Sequence, residues 1–165
     1  MKRELSLDIF RGLTLAAMIL VNTPGSWSHV YAPLLHASWH GLTPTDLIFP
    51  FFLFIVGAAM FHSMGRIPKG QIPWIKIVKR TLLMFLIGFA LNIYPFTGDP
   101  ENWRIMGVLQ RIALCYFVGA LLILTLSARG VWFASGAILL GYWLLMQVSP
   151  DPWSLEHNLV RQVDM

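Results

Sequence analysis

The chain has 165 residues, 56% hydrophobic and 12% charged, with a formal net charge of +4 at pH 7. Soluble domains carry about 25% charged residues, so roughly half that share, gathered between long uncharged runs, excludes an ordinary soluble globular domain. A single cysteine, Cys115, excludes an internal disulfide, and no basic stripe interleaved with aromatics points to nucleic acid.

The first apolar run predicts a helix from about Leu5 to Val21, ended by Pro24-Gly25. Basic residues precede it, but Val21-Asn22-Thr23-Pro24 is a poor cleavage site, so it reads as a retained helix and not a signal peptide. Asp8 and Arg11 are three apart and share a face. They read as an ion pair near an interface, where long side chains snorkel. Thr23 to Thr45 contains no Lys or Arg and holds His36, His40, Trp27, Tyr31 and Trp39.

A second helix is expected from about Thr45 to Met64. Leu47 to Gly65 is free of Asp, Glu, Lys and Arg. A bilayer core needs about 20 such residues. Pro50 is placed to kink this helix, Gly57 to allow close helix packing, and His62 to lie at an interface. The stretch from Gly65 to Arg80 carries five basic residues: Arg66, Lys69, Lys76, Lys79 and Arg80. A third helix is expected from about Trp74 to Tyr94, with Gly88 at a close contact, a fourth from about Ile105 to Leu126, and a fifth from about Val131 to Val148. Arg129 is read as lying between the last two. Arg111 is read as about a turn and a half into the fourth helix, facing the bundle to pair with a carboxylate or an anion. Trp27, Tyr31, Trp39 and Trp103 fit an interfacial aromatic belt, and Cys115 a core or lipid-facing position.

The fold class expected is all-α, a polytopic transmembrane bundle of about five spanning helices. Basic residues before the first helix, after the second and before the fifth put the N-terminus in the cytoplasm by the positive-inside rule. The His36 loop and the segment Pro95 to Arg104 then share the opposite face. Residues 1–165 read as a single transmembrane domain. The closing HNLVRQVDM reads as the approach to another element, so that domain is expected to be incomplete at its C-terminal end.

Ionisable groups at membrane depth are costly, and they often mark function. His36 carries the side chain suited to proton transfer. Asp46 stands ten residues on, at the start of the second helix, and Asn22 closes the first. A base, an orienting carboxylate and a polar stabiliser at one membrane face would suit acyl transfer. The plainer alternatives are a solvated loop histidine and a helix-capping aspartate. His36 and His40 have the spacing of a helical zinc pair. No Glu stands between them, no third ligand is obvious, and Gly41 and Pro44 argue against a continuous helix, so no metal is expected.

Three stretches, LSLDIFRGLTLAAMILVN, HASWHGLTPTDLIFPFFLFIVG and GVLQRIALCYF, together resemble the heparan-alpha-glucosaminide N-acetyltransferase family and its bacterial relatives among transmembrane acyltransferases. The resemblance implies an enzyme that moves acetyl from cytoplasmic acetyl-CoA to an amino sugar or glycan on the opposite face. It matches the family's catalytic histidine to His36, which would either take a proton from the amine or briefly carry the acetyl group itself, its asparagine to Asn22 and its GLT-x-x-D aspartate to Asp46, and it matches Arg111 to the Val-Leu-Gln-Arg arginine. Arg111, Arg80 and Lys79 become the candidate residues for binding the CoA. His40 departs from the usual His-Ala-Ser-Trp-Asn-Gly at the asparagine place, which bears on acceptor preference. The resemblance further implies a bilayer setting, the inner membrane with a periplasmic His36 loop if the source is bacterial, and it inclines towards a homodimer. The rival readings are a non-catalytic transport or binding module, and an acyltransferase with a different acyl donor.

Overall fold

The structure is a computed structural model that describes residues 4–94, 105–148, 151–154 and 159. Trp103, the 95–104 loop, Lys2, Arg3 and most of the C-terminal tail fall outside the described residues. The regular structure of the described residues is all helical, with no strand: α1 (Leu5–Asn22), α2 (Pro44–Met64), α3 (Trp74–Ile93), α4 (Val108–Thr125) and α5 (Ala128–Met146), with one 3-10 turn at Ala32–Leu34. Four of them, α1, α2, α4 and α5, are long and apolar enough to cross a membrane. The helix α3, read from sequence as a span, carries Lys76, Lys79 and Arg80 in its first two turns and does not meet that measure. The architecture is that of a helical membrane bundle.

The chain divides into two compact units, Met1–His62 and Ser63–Met165. In the first, Phe10 of α1 meets Phe51 and Phe54 of α2, with ring centroids 5.4 and 6.4 Å apart. Polar groups inside α1 are satisfied locally. Thr14 donates its hydroxyl to the Phe10 carbonyl at 2.8 Å, and Arg11 Nη1 lies 3.6 Å from Asp8 Oδ1, the ion pair expected from their spacing. Thr23 ends α1, with both its N–H and its hydroxyl directed to the Ile19 carbonyl. Pro50 lies inside α2.

In the second unit α3 and α4 pack along their length. Ala113, Tyr116, Ala120 and Leu124 recur every three to four residues and bury one face of α4. Ile77 and Gly88 are the buried positions of α3. A Cβ at Gly88 would stand 2.6 Å from the Leu109 Cβ, so only glycine fits this crossing. Gly57 does not do the same, because nothing lies within 4 Å of where its Cβ would be. The α2–α3 loop folds onto the C-terminus of α4. Gly70, at φ +85°, gives its N–H to the Leu124 carbonyl, and Lys69 Nζ donates to the Ile123 carbonyl. A cation and an N–H thus satisfy carbonyls that a helix end leaves open.

Two helix starts differ from the sequence expectation. α5 begins at Ala128 and not near Val131, because Ser127 caps it by accepting the Gly130 N–H at 3.2 Å. Arg129 is therefore a first-turn residue of α5, not a linker residue. α4 begins at Val108, after the extended Gly107, so Arg111 is in its first turn and not further along.

Candidate active site

The loop from His36 to Asp46 closes on a single carboxylate. Asp46 Oδ2 accepts the Thr43 N–H at 2.9 Å, the Thr43 hydroxyl at 2.9 Å and, more weakly, the Ala37 N–H at 3.4 Å. Its other oxygen, Oδ1, lies 2.6 Å from His36 Nδ1. The local sequence dictates the first half of this. Thr43 precedes α2, and a carboxylate three residues on reaches back to the N–H of the cap residue, as in a capping box. Capping and orientation of a histidine, alternatives in the sequence, are here two uses of one side chain. Gly41, at φ +129°, makes the turn that returns the chain from Ala37 to Thr43.

The His36 side chain is 70% exposed, whereas that of Asp46 is 24% exposed. A carboxylate only accepts, so the proton between the two belongs to Nδ1. In the neutral ring Nε2 then carries the lone pair, the tautomer a general base needs. Beside the pair lies a cavity of about 290 Å³ between α1 and α2, lined by Phe10, Thr14, Leu34, Pro44, Thr45 and Phe51 among others.

Asn22 is the last residue of α1 and is exposed. No hydrogen bond joins it to His36 or Asp46 among the described residues. His36 and His40 stand in non-helical chain, so they do not share a helix face. His40 instead lies edge-on to Trp39.

The second unit holds the three candidate cofactor-binding residues. The Arg80 guanidinium lies 4.8 Å from the centroid of the Tyr116 ring, a cation–π contact. Lys79 stands beside it in sequence on α3, among exposed apolar neighbours. Arg111 is five residues before Tyr116, about 7.5 Å along the axis of α4, and is partly exposed. The buried polar side chain at this point is its neighbour. Gln110 is 0% exposed, with neither amide atom hydrogen-bonded among the described residues. Its Oε1 would stand 2.8 Å from a Cβ at Gly88 and also at Gly107. Reading the sequence for charge favoured Arg111 and passed over Gln110. The Thr43-x-x-Asp46 capping pattern was a signal that could have found Thr43.

The family model described as heparan-alpha-glucosaminide N-acetyltransferase, catalytic, matches residues 3–162. The chain belongs to this family. The heparan-alpha-glucosaminide N-acetyltransferase of Homo sapiens is 40% identical over 129 residues, covering 71% of this chain and 18% of the human protein. The Mus musculus protein of the same name is 41% identical over 123 residues, covering 70% of this chain and 18% of that protein. The chain thus spans about a fifth of the length of the curated relatives it matches. All three motif stretches of this heparan-alpha-glucosaminide N-acetyltransferase family member fall inside the matched region.

Proposed function

We propose that this chain is part of a membrane N-acetyltransferase that takes acetyl from cytoplasmic acetyl-CoA and delivers it to the amine of an amino sugar on the opposite membrane face. The observation that carries this is the 2.6 Å contact between His36 Nδ1 and Asp46 Oδ1 at the start of an apolar helix, within a chain of an N-acetyltransferase family.

In this reading His36 Nε2 removes a proton from the sugar amine as its nitrogen attacks the thioester carbonyl. The C–N bond forms, the C–S bond breaks, and the CoA sulfur leaves as the thiol after taking up a proton. Asp46 holds the imidazole in the right tautomer and stabilises the imidazolium that forms. Asn22, exposed at the end of α1, supplies an amide N–H to the tetrahedral oxyanion. Arg80 and Lys79, in the turns of α3 next to the α2–α3 loop, are proposed to meet the CoA phosphates, with the N-terminus and that loop in the cytoplasm; Arg111, in the first turn of α4, would then lie toward the opposite face and is not assigned to the phosphates.

The test is transfer from labelled acetyl-CoA to glucosamine by purified, detergent-solubilised protein beside its His36→Ala variant. Positioned general bases contribute about 10²–10⁴-fold, so the variant should lose at least that factor. Unchanged transfer by His36→Ala overturns the mechanism.

A further inference from the structure

Two threonines within the helices of this chain turn their hydroxyls back on their own helix, while the Thr81 hydroxyl in α3 is buried without a partner among the described residues. Thr14 donates to Phe10 and Thr125 to Leu121, each four residues earlier. Thr45 does not. It is the second residue of α2, so the carbonyl four residues before it belongs to Gly41, outside the helix. Its hydroxyl reaches instead to the Pro33 carbonyl, twelve residues earlier, at 3.2 Å. Thr45 is 4% exposed and lines the largely apolar cavity beside the site, where an unbonded hydroxyl would be costly. Pro33 has no N–H, so its carbonyl is the only polar group its backbone offers.

The two ends of this bond bracket the candidate pair. Pro33 sits in the 3-10 turn three residues before His36, and Thr45 immediately precedes Asp46. Downstream of His36 the loop is tied by the Asp46 carboxylate to Ala37 and Thr43. Upstream, the Thr45 hydroxyl is a side-chain tie from α2 to the limb that delivers His36. The imidazole is largely exposed, so its place depends on these ties more than on packing.

We propose that Thr45 is a positioning residue. By holding the Pro33 carbonyl it sets the register between the limb carrying His36 and the helix turn carrying Asp46. The inference rests on the acyl-transfer reading of His36. Thr45 itself touches no reacting atom in it and acts through the His36–Asp46 contact.

Thr45→Val keeps the shape and loses the hydroxyl, and Thr45→Ser keeps the hydroxyl. A misplacement of about 1 Å can cost about 10²-fold in rate. The expected result is a fall in kcat of about 10–100-fold for Thr45→Val, with the KM for acetyl-CoA unchanged and near-normal kcat in Thr45→Ser. In an Asp46→Asn background, Thr45→Val should cost little further, because the contact it positions is already gone. The same fold-loss in both backgrounds, or full kcat in Thr45→Val, overturns the proposal. Thr45→Ala serves as the second hydroxyl-free variant if valine does not fold. Amide exchange over residues 36–43 gives a readout independent of turnover. It should quicken in Thr45→Val and not in Thr45→Ser, and unchanged exchange in Thr45→Val overturns the proposal. If the unaltered protein transfers no acetyl at all, the acyl-transfer reading fails, and the exchange result still decides whether Thr45 orders the loop.

Discussion

His36 Nδ1 stands 2.6 Å from one oxygen of Asp46, while the other oxygen takes the N–H and the hydroxyl of Thr43, each at 2.9 Å. One carboxylate therefore does two jobs: it caps a helix that enters an apolar layer, and it aims an imidazole at the mouth of that layer.

Asp46→Asn should damage both. An amide offers one accepting oxygen where the carboxylate offers two. Whichever way it turns, an NH₂ group faces either His36 Nδ1 or the Thr43 donors. Facing the histidine, it favours the tautomer with the proton on Nε2, which cannot act as the base. A loss of about 10²–10⁴-fold in kcat is expected, read by steady-state transfer. With the NH₂ facing the ring, nitrogen-15 spectra of labelled histidine should show the protonated ring nitrogen of His36 change from Nδ1 to Nε2. Spectra that keep the original tautomer would place the amide oxygen against His36 and the NH₂ against Thr43; full kcat in Asp46→Asn would remove Asp46 from its orienting role.

Gly41→Ala tests the loop. At φ +129° a side chain is strained whatever the space around it, and the nearest atom to an added Cβ, the Ala37 Cβ, is at an ordinary 3.6 Å. The cost is thus conformational, about 1–3 kcal/mol. Thermal unfolding should fall, and amide exchange between residues 36 and 43 should rise. An alanine variant with native stability and exchange would show that the turn does not require positive φ.

Gly88→Ala and Gly57→Ala should behave oppositely. At Gly88 the new methyl would stand 2.6 Å from the Leu109 Cβ and 2.8 Å from Gln110 Oε1, so α3 and α4 must separate. Overpacking of this kind costs about 1–3 kcal/mol. At Gly57 nothing lies within 4 Å, and alanine is the better helix former. Thermal melts in one detergent should show Gly88→Ala well below the unaltered protein and Gly57→Ala at or above it.

Gln110→Met should stabilise. The carboxamide is fully buried, and neither of its polar atoms is bonded among the described residues. A buried, unsatisfied polar group costs about 1–3 kcal/mol, and methionine fills a similar volume without that cost. A melting temperature raised by Gln110→Met is the expected outcome. A fall would show that the amide has a bonding partner in the folded protein.

Much of this was legible in the residues. Long, mostly apolar runs announce helices by their length, so all five were found, and the ends of α1, α2 and α3 fell within a residue of expectation. The errors were at starts governed by single contacts. Ser127 pulled the beginning of α5 back to Ala128 by accepting one N–H, and Gly107 delayed α4. Gly57 and Gly88 look alike in sequence, because glycine in an apolar run carries no record of what faces it.

The sequence by itself determined the all-helical class, the helices and their order, and the chemical types at the site, because these follow from local apolar length and from which side chains exist near each helix end. Three ordered motifs also determined the family. Tertiary structure decided which of those groups meet. It joined His36 to Asp46 across ten residues and left Asn22 outside that hydrogen-bonded set. It recruited Thr43 and Thr45, and it buried Gln110 where the sequence drew attention to Arg111. The physical reason is that a hydrogen bond needs atoms from different segments to meet at about 2.9 Å, within a few tenths of an ångström. Those distances are set by how a loop closes and how helices cross, which no single segment encodes.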